Sequence, residues 1–126
     1  MSVSFSSSTI FVTAWFSKAA RKALISENEL CRAAGQVVAG QADDLGGGVF
    51  KKRLNRNDHR AIILTKFGDF LVYEYLFAKK DLDNIEKTEL QAFRMLAKSY
   101  ANLTKRQIET LLNQKAWTEI CKETKS

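Results

Sequence analysis

Two apolar runs, residues 60–67 (RAIILTKF) and 70–77 (FLVYEYLF), flank the dipeptide Gly68-Asp69, and no other feature restricts the fold so tightly. Both runs are rich in β-branched and aromatic residues, and a glycine between them supplies the positive φ that a two-residue hairpin loop needs. The loop predicts a register in which Phe67 faces Phe70, Thr65 faces Val72, Leu64 faces Tyr73, Ile62 faces Tyr75 and Arg60 faces Phe77. One face then carries Ala61, Ile63, Thr65, Phe67, Phe70, Val72 and Leu76, which suits packing under helices. The other carries Arg60, Ile62, Leu64, Leu71, Tyr73, Tyr75 and Phe77, with Lys79 continuing its parity.

The remaining segments supply those helices and further strands. Residues 8–13 form a short β-rich run, and AWFSKAARKAL follows with helical character, placing Trp15, Ala19, Lys22 and Ala23 on one side. Ser26 and Glu29 have capping-box spacing between the staple residues Ile25 and Leu30, and the apolar period from Leu30 to Val38 predicts a helix over 27–40. Residues 49–54 read as a strand. Leu90, Phe93, Ala97 and Tyr100 line a helix over 85–101, and Thr104 with Gln107 caps a last helix over 105–114. Residues 115–121 (KAWTEIC) can add an edge strand. The expectation is an α+β fold with a small, antiparallel-rich sheet, two N-terminal helices on one face and further helices at the C-terminus. At 126 residues the chain reads as one domain, with 1–8 a flexible leader and 85–126 a C-terminal helical part. Cys31 and Cys121 lie far apart without metal-ligand spacing, and read as reduced packing residues rather than a disulfide. No stretch has the pattern of a signal peptide or membrane span.

Charge is concentrated in the middle. The formal net charge is +6, yet residues 51–80 carry eight Lys/Arg against three Asp/Glu, whereas residues 1–50 balance at four of each. Such a field recruits a polyanion: nucleic acid, an acidic protein segment or an anionic membrane surface. The excess begins in DLGGGVFKKRLNR, residues 44–56. Phosphate-cradling glycine loops lead from a strand into a helix, and here the order is reversed, so Gly46, Gly47 and Gly48 read as a flexible way onto the sheet. Alternation puts Phe50 and Leu54 toward the core and projects Lys51 and Arg53 from the far side. With Arg60 and Lys79 or Lys80, and with Tyr73 and Tyr75 beneath, they form a patch in which cations meet phosphates and rings meet unpaired bases. The competing reading, which suits Tyr73 better, makes both tyrosines core. Alternation sets Lys52 on the opposite face with Phe50 and Leu54, where it is expected to matter least, and His59 is a loop residue or a proton-transfer group at the edge of the patch. Glu74 and Asp58 are isolated carboxylates, and neither a paired acid/base set nor a metal cluster is visible.

The motifs WF…ARK, DLGGGV.KKR and FAK…DNI, in this order over residues 11–117, resemble the RelE/ParE superfamily of bacterial type II toxins, with the closest likeness to its RelE-like, often HigB-like, branch. The resemblance implies a cytoplasmic toxin that cleaves mRNA on the ribosome by attack of the RNA 2′-hydroxyl on the adjacent phosphate, without a metal or other cofactor. It also implies a cognate antitoxin, expected to be a helix-turn-helix DNA-binding protein, and no membrane partner. Carried over by position, the catalytic set is Lys51, Arg53, Arg60 and Lys80, and the RNA-binding set is Lys52, Arg56, His59, Tyr75 and Lys79. Where many relatives place Tyr or His after the last basic residue, this chain has Asn84-Ile85-Glu86. ParE-like members share the fold and poison DNA gyrase, so a gyrase inhibitor or an inactive binding relic is the alternative.

Overall fold

The computed structural model describes residues 9–66, 69–80 and 85–122. Its elements are β1 (Ile10–Thr13), α1 (Ala14–Lys22), α2 (Glu27–Val38), β2 (Asp43–Gly46), β3 (Val49–Leu54), β4 (His59–Lys66), β5 (Phe70–Ala78), α3 (Lys87–Ala101), α4 (Lys105–Asn113) and β6 (Trp117–Ile120). The strands form one sheet in the order β2-β3-β4-β5-β1-β6. The β1–β5 pair is parallel and the other neighbours are antiparallel. The fold is α+β, and the sheet is covered on both faces.

On one face, α1 and α2 bury Phe16, Leu30, Ala34 and Val37 against Val12, Phe50, Ile63 and Tyr73. On the other, α3 covers Val49, Ile62, Leu64 and Phe77, while α4 and β6 enclose Phe11, Phe70 and Val72 with Ile108 and Trp117. Because β4 is buried on both parities from Arg60 to Thr65, and β5 from Phe70 to Tyr73, apolar alternation alone does not assign faces there.

The predicted hairpin register holds only at its open end. Arg60 pairs with Phe77 and Ile62 with Tyr75, but Ile63 pairs with Tyr73, so Glu74 is an extra residue bulged out of β5. Beyond the bulge the pairs are Leu64 with Val72 and Lys66 with Phe70. A bulge reverses side-chain parity. Phe70 and Val72 therefore join the α3/α4 side, and Leu71 and Tyr73 join the α1/α2 side, opposite to the expected assignment. Tyr73 is core: its ring lies 4.9 Å from Phe16 and its hydroxyl donates to the Leu30 carbonyl at 2.7 Å. Burial pushes that phenol above the usual tyrosine range. The bulged Glu74 accepts a 2.6 Å hydrogen bond from the Tyr100 hydroxyl of α3, and burial raises its carboxyl. Phe67, expected to close the first strand opposite Phe70, and Gly68 of the predicted loop lie outside the described residues, as does the 1–8 leader.

Three further expectations are corrected. The glycines do not bring the chain from the helix onto the sheet, because residues 43–46 form the unpredicted edge strand β2 and Gly46–Gly48 turn it into β3. Ser26 caps α2 by accepting from the Glu29 amide, but the Glu29 carboxylate does not complete the box and instead accepts the backbone N–H of Asn55. Cys31 and Cys121 are joined in a disulfide, with Cα atoms 5.5 Å apart. They meet because β6 closes the sheet beside β1, directly under the first turns of α2, where the Glu27 carboxylate also accepts the Cys121 N–H. Helix α4 carries the full Thr104/Gln107 capping box as predicted.

Candidate nucleic-acid interface

The basic residues gather around one end of the sheet, the end that carries the β3–β4 turn. In β3, Val49 belongs to the cluster under α3 while Phe50 and Leu54 belong to the cluster under α2. Strand alternation therefore sets Lys51 and Arg53 on the α3 side, as predicted. Cross-strand pairing places Lys51, Ile62 and Tyr75 in one row and Arg53, Arg60 and Phe77 in the next. Two arginines directly opposite one another repel, and such a pair is costly unless an anion lies between or above them.

The members of this row differ in their freedom. Arg53 is exposed. The Lys51 side chain is 16% exposed, and its ammonium lies 3.9 Å from the Asp43 carboxylate of β2. Arg60 is only 8% exposed, and its Nη1 donates to the carbonyls of Asn57 and His59 at 2.9 and 3.1 Å. It is as much a brace of the turn as a member of the patch.

The other predicted residues sit around the same end but off that face. Lys52 has the opposite parity, pairing with Ala61, and its Nζ donates to the Gln41 carbonyl at 2.9 Å. Burial and the adjacent Arg53 hold its ammonium below the usual lysine range, with Asp43 partly opposing them. His59 opens β4 rather than lying in a loop. It pairs with Leu54 and Ala78 on the α1/α2 side, and its Nδ1 is 3.1 Å from the Asn55 amide nitrogen. The sheet separates it from Lys51, so it does not join a proton-transfer group there. Exposed Arg56 borders a hollow of about 500 Å³ with Glu29, Arg32, Gln36 and Arg53. Lys79 and Lys80 are exposed, and line a groove of about 750 Å³ with Lys22, Asp58 and His59.

Asn55, Arg56 and Asn57, with φ of 54°, 55° and 75°, place three successive non-glycine residues in the left-handed region at the centre of this ring of cations. The strain is held by hydrogen bonds: Glu29 accepts the Asn55 N–H, Asn55 Nδ2 donates to the Ala23 carbonyl at 3.4 Å, and Arg60 holds Asn57.

Tyr75 reaches the α3 side as predicted, and there its ring stacks on Trp15 of α1, centroids 4.9 Å apart and planes 13° from parallel. Trp15 is 51% exposed. Sequence reasoning placed Trp15, Ala19, Lys22 and Ala23 on one side of a helix and gave that side no role. The available signal was a large aromatic beside two alanines and a lysine, a poor composition for a core stripe. Among the described residues, no group of three His, Cys, Asp or Glu side chains could hold a metal ion, and no helix is long and apolar enough to cross a membrane. Of the Asn84-Ile85-Glu86 segment, Asn84 lies outside the described residues, Ile85 packs under α3, and Glu86 caps that helix together with Glu89.

The family model described as the RelE toxin of the RelE/RelB toxin–antitoxin system matches residues 8–120. No curated protein and no solved structure matches the chain.

Proposed function

Since the chain belongs to the RelE toxin family, we propose that it is the toxin of a toxin–antitoxin pair that cleaves mRNA on the ribosome, with the Lys51/Arg53/Arg60 face as its reactive surface. The observation that carries this reading is the like-charged Arg53–Arg60 pair, with Lys51 on the same face. An extended phosphodiester backbone is the ligand that would neutralise both arginines at once.

In this reaction the 2′-oxygen attacks the adjacent phosphorus, the P–O5′ bond breaks, and the products are a 2′,3′-cyclic phosphate and a 5′-hydroxyl. The proton leaves O2′ and one is delivered to O5′. Arg53 and Arg60 would stabilise the dianionic pentacoordinate phosphorus by charge-assisted hydrogen bonds. Lys51, an ammonium on the same face, is the group suited to protonating the leaving oxygen. Lys79 and Lys80 would hold the strand rather than act on it, as would Arg56 at the turn. The antitoxin is expected to be a helix-turn-helix protein that covers this end of the sheet and represses its own operon.

The test is the Lys51→Ala/Arg53→Ala double variant. Arg60 is left in place, because removing it would also unlatch the turn. Each substitution is expected to lower cleavage about 10²-fold or more, abolishing growth arrest with an unchanged melting temperature. Mapping of mRNA 5′ ends should show discrete new ends within coding sequence for the wild type alone. Full arrest by the double variant, or DNA damage without new RNA ends, overturns the assignment, and the latter outcome points to a gyrase-directed member of the fold.

A further inference from the structure

Strand β1 pairs with β5 only along Leu71–Tyr73, and the chain then turns into α1. The second half of β5 therefore has a helix rather than a strand beside it. Ala19 of α1 and Ala23 at its C-cap face it, and both are too small to fill the space. A groove of about 480 Å³ results, with Trp15, Ala19 and Lys22 on one wall and the consecutive residues Tyr75–Ala78 on the other. It runs into the 750 Å³ groove, sharing Lys22, Ala23, His59 and Ala78 with it, and ends at Lys79 and Lys80.

Trp15 has one ring face against Tyr75 and remains 51% exposed. A stacked, half-exposed indole offers a flat second face at little entropic cost, because its partner already fixes the ring. Among the described residues that line the two grooves, three lysines stand beyond the indole against the carboxylate of Asp58, a balance that favours phosphate. An aromatic platform followed by cations is the pairing that single-stranded nucleic acid uses.

We propose that this groove is a nucleotide subsite, in which the base of one unpaired RNA residue stacks on the free face of Trp15 while its flanking phosphates lie against Lys22 and the Lys79–Lys80 pair. The inference rests on the mRNA-cleaving reading and deepens it. The strand crosses the Arg53–Arg60 row, passes over the end of the sheet at Phe77 and enters the groove along β5. Trp15 and Lys22 are then specificity-determining and anchoring residues contributed by the N-terminal helix.

The experiment measures binding of a labelled, unstructured, fully 2′-O-methylated oligonucleotide, which cannot be cleaved, and of an abasic oligomer with the same number of phosphates. Trp15→Ala is expected to weaken binding of the first about tenfold and to leave the abasic probe within twofold, while Trp15→Phe keeps most of the affinity. Trp117 is 3% exposed, so quenching of the wild-type indole fluorescence by the oligonucleotide should vanish in Trp15→Phe. Unchanged binding by Trp15→Ala, or equal losses on both probes, overturns the subsite while leaving the mRNA reading intact, provided that Lys51→Ala/Arg53→Ala still loses the oligonucleotide. If the wild type fails to bind, or the double variant binds as well as the wild type, the mRNA reading falls and the subsite with it. Loss of antitoxin binding in Trp15→Ala with normal oligonucleotide binding would give the groove to a protein partner and refute the proposal.

Discussion

The β2–β3 and β3–β4 turns share a left-handed backbone over three residues but build it from different side chains. Gly46, Gly47 and Gly48 have φ of 88°, 65° and 84°, while Asn55, Arg56 and Asn57 reach 54°, 55° and 75°. The first turn is covered. A Cβ on Gly47 would stand 2.9 Å from Cγ of Arg94, and one on Gly48 would stand 2.9 Å from the Thr65 carbonyl oxygen. The Arg94 guanidinium donates to the Leu45 carbonyl, pinning α3 over the turn. The second turn is open, and Arg56 and Asn57 are exposed. Glycine is required where something lies on the backbone; where nothing does, the chain accepts strain and displays side chains instead. Left-handed geometry costs a non-glycine residue about 1–2 kcal/mol, less for asparagine, and here that cost is offset by Glu29 and Arg60. Strain of this kind concentrates at functional sites.

The comparison can be broken most severely at the covered turn. Gly48→Ala combines a left-handed φ with an overlap against backbone that cannot move aside, and is expected to cost about 3 kcal/mol, read as a fall in thermal midpoint. A neutral outcome would mean that the glycines are there for flexibility. At the open turn, Glu29→Ala removes the acceptor of the Asn55 N–H and should cost about 2 kcal/mol in denaturant unfolding. It should also raise proteolytic cleavage near Arg56, and an unaffected turn would show that the loop holds itself. The smallest effect is expected from Asn57→Gly. Relief of strain should stabilise the chain by about 1 kcal/mol, while the loosened turn weakens oligonucleotide binding. Stabilisation without any loss of binding would separate the strain from the function.

Much of the fold was readable because local signals and tertiary demands agree. The Thr104/Gln107 box, the apolar period of α2 and the β-rich runs appear as helix and strands close to their expected bounds. The face assignment failed at Glu74, where FLVYEYLF is apolar on both parities and one inserted residue reverses everything beyond it. No alternation signal survives in a strand buried on both sides. Strand β2 was missed because DDLG has poor strand propensity and forms only by pairing with β3. At the site, the parity of Lys51 and Arg53 was legible from Phe50 and Leu54. The burial of Arg60, the separation of His59 and the stacking of Trp15 on Tyr75 were not, because each depends on a neighbour distant in sequence.

The bond between Cys31 and Cys121 spans 90 positions and makes a covalent ring of everything between them, both turns, α3 and the cations from Lys51 to Lys80 included. A single peptide-bond cut anywhere inside that ring opens it without dividing the molecule. The β3–β4 turn can therefore be nicked by a protease while the chain still migrates as one species, and the two pieces part only once a reductant has opened the bond.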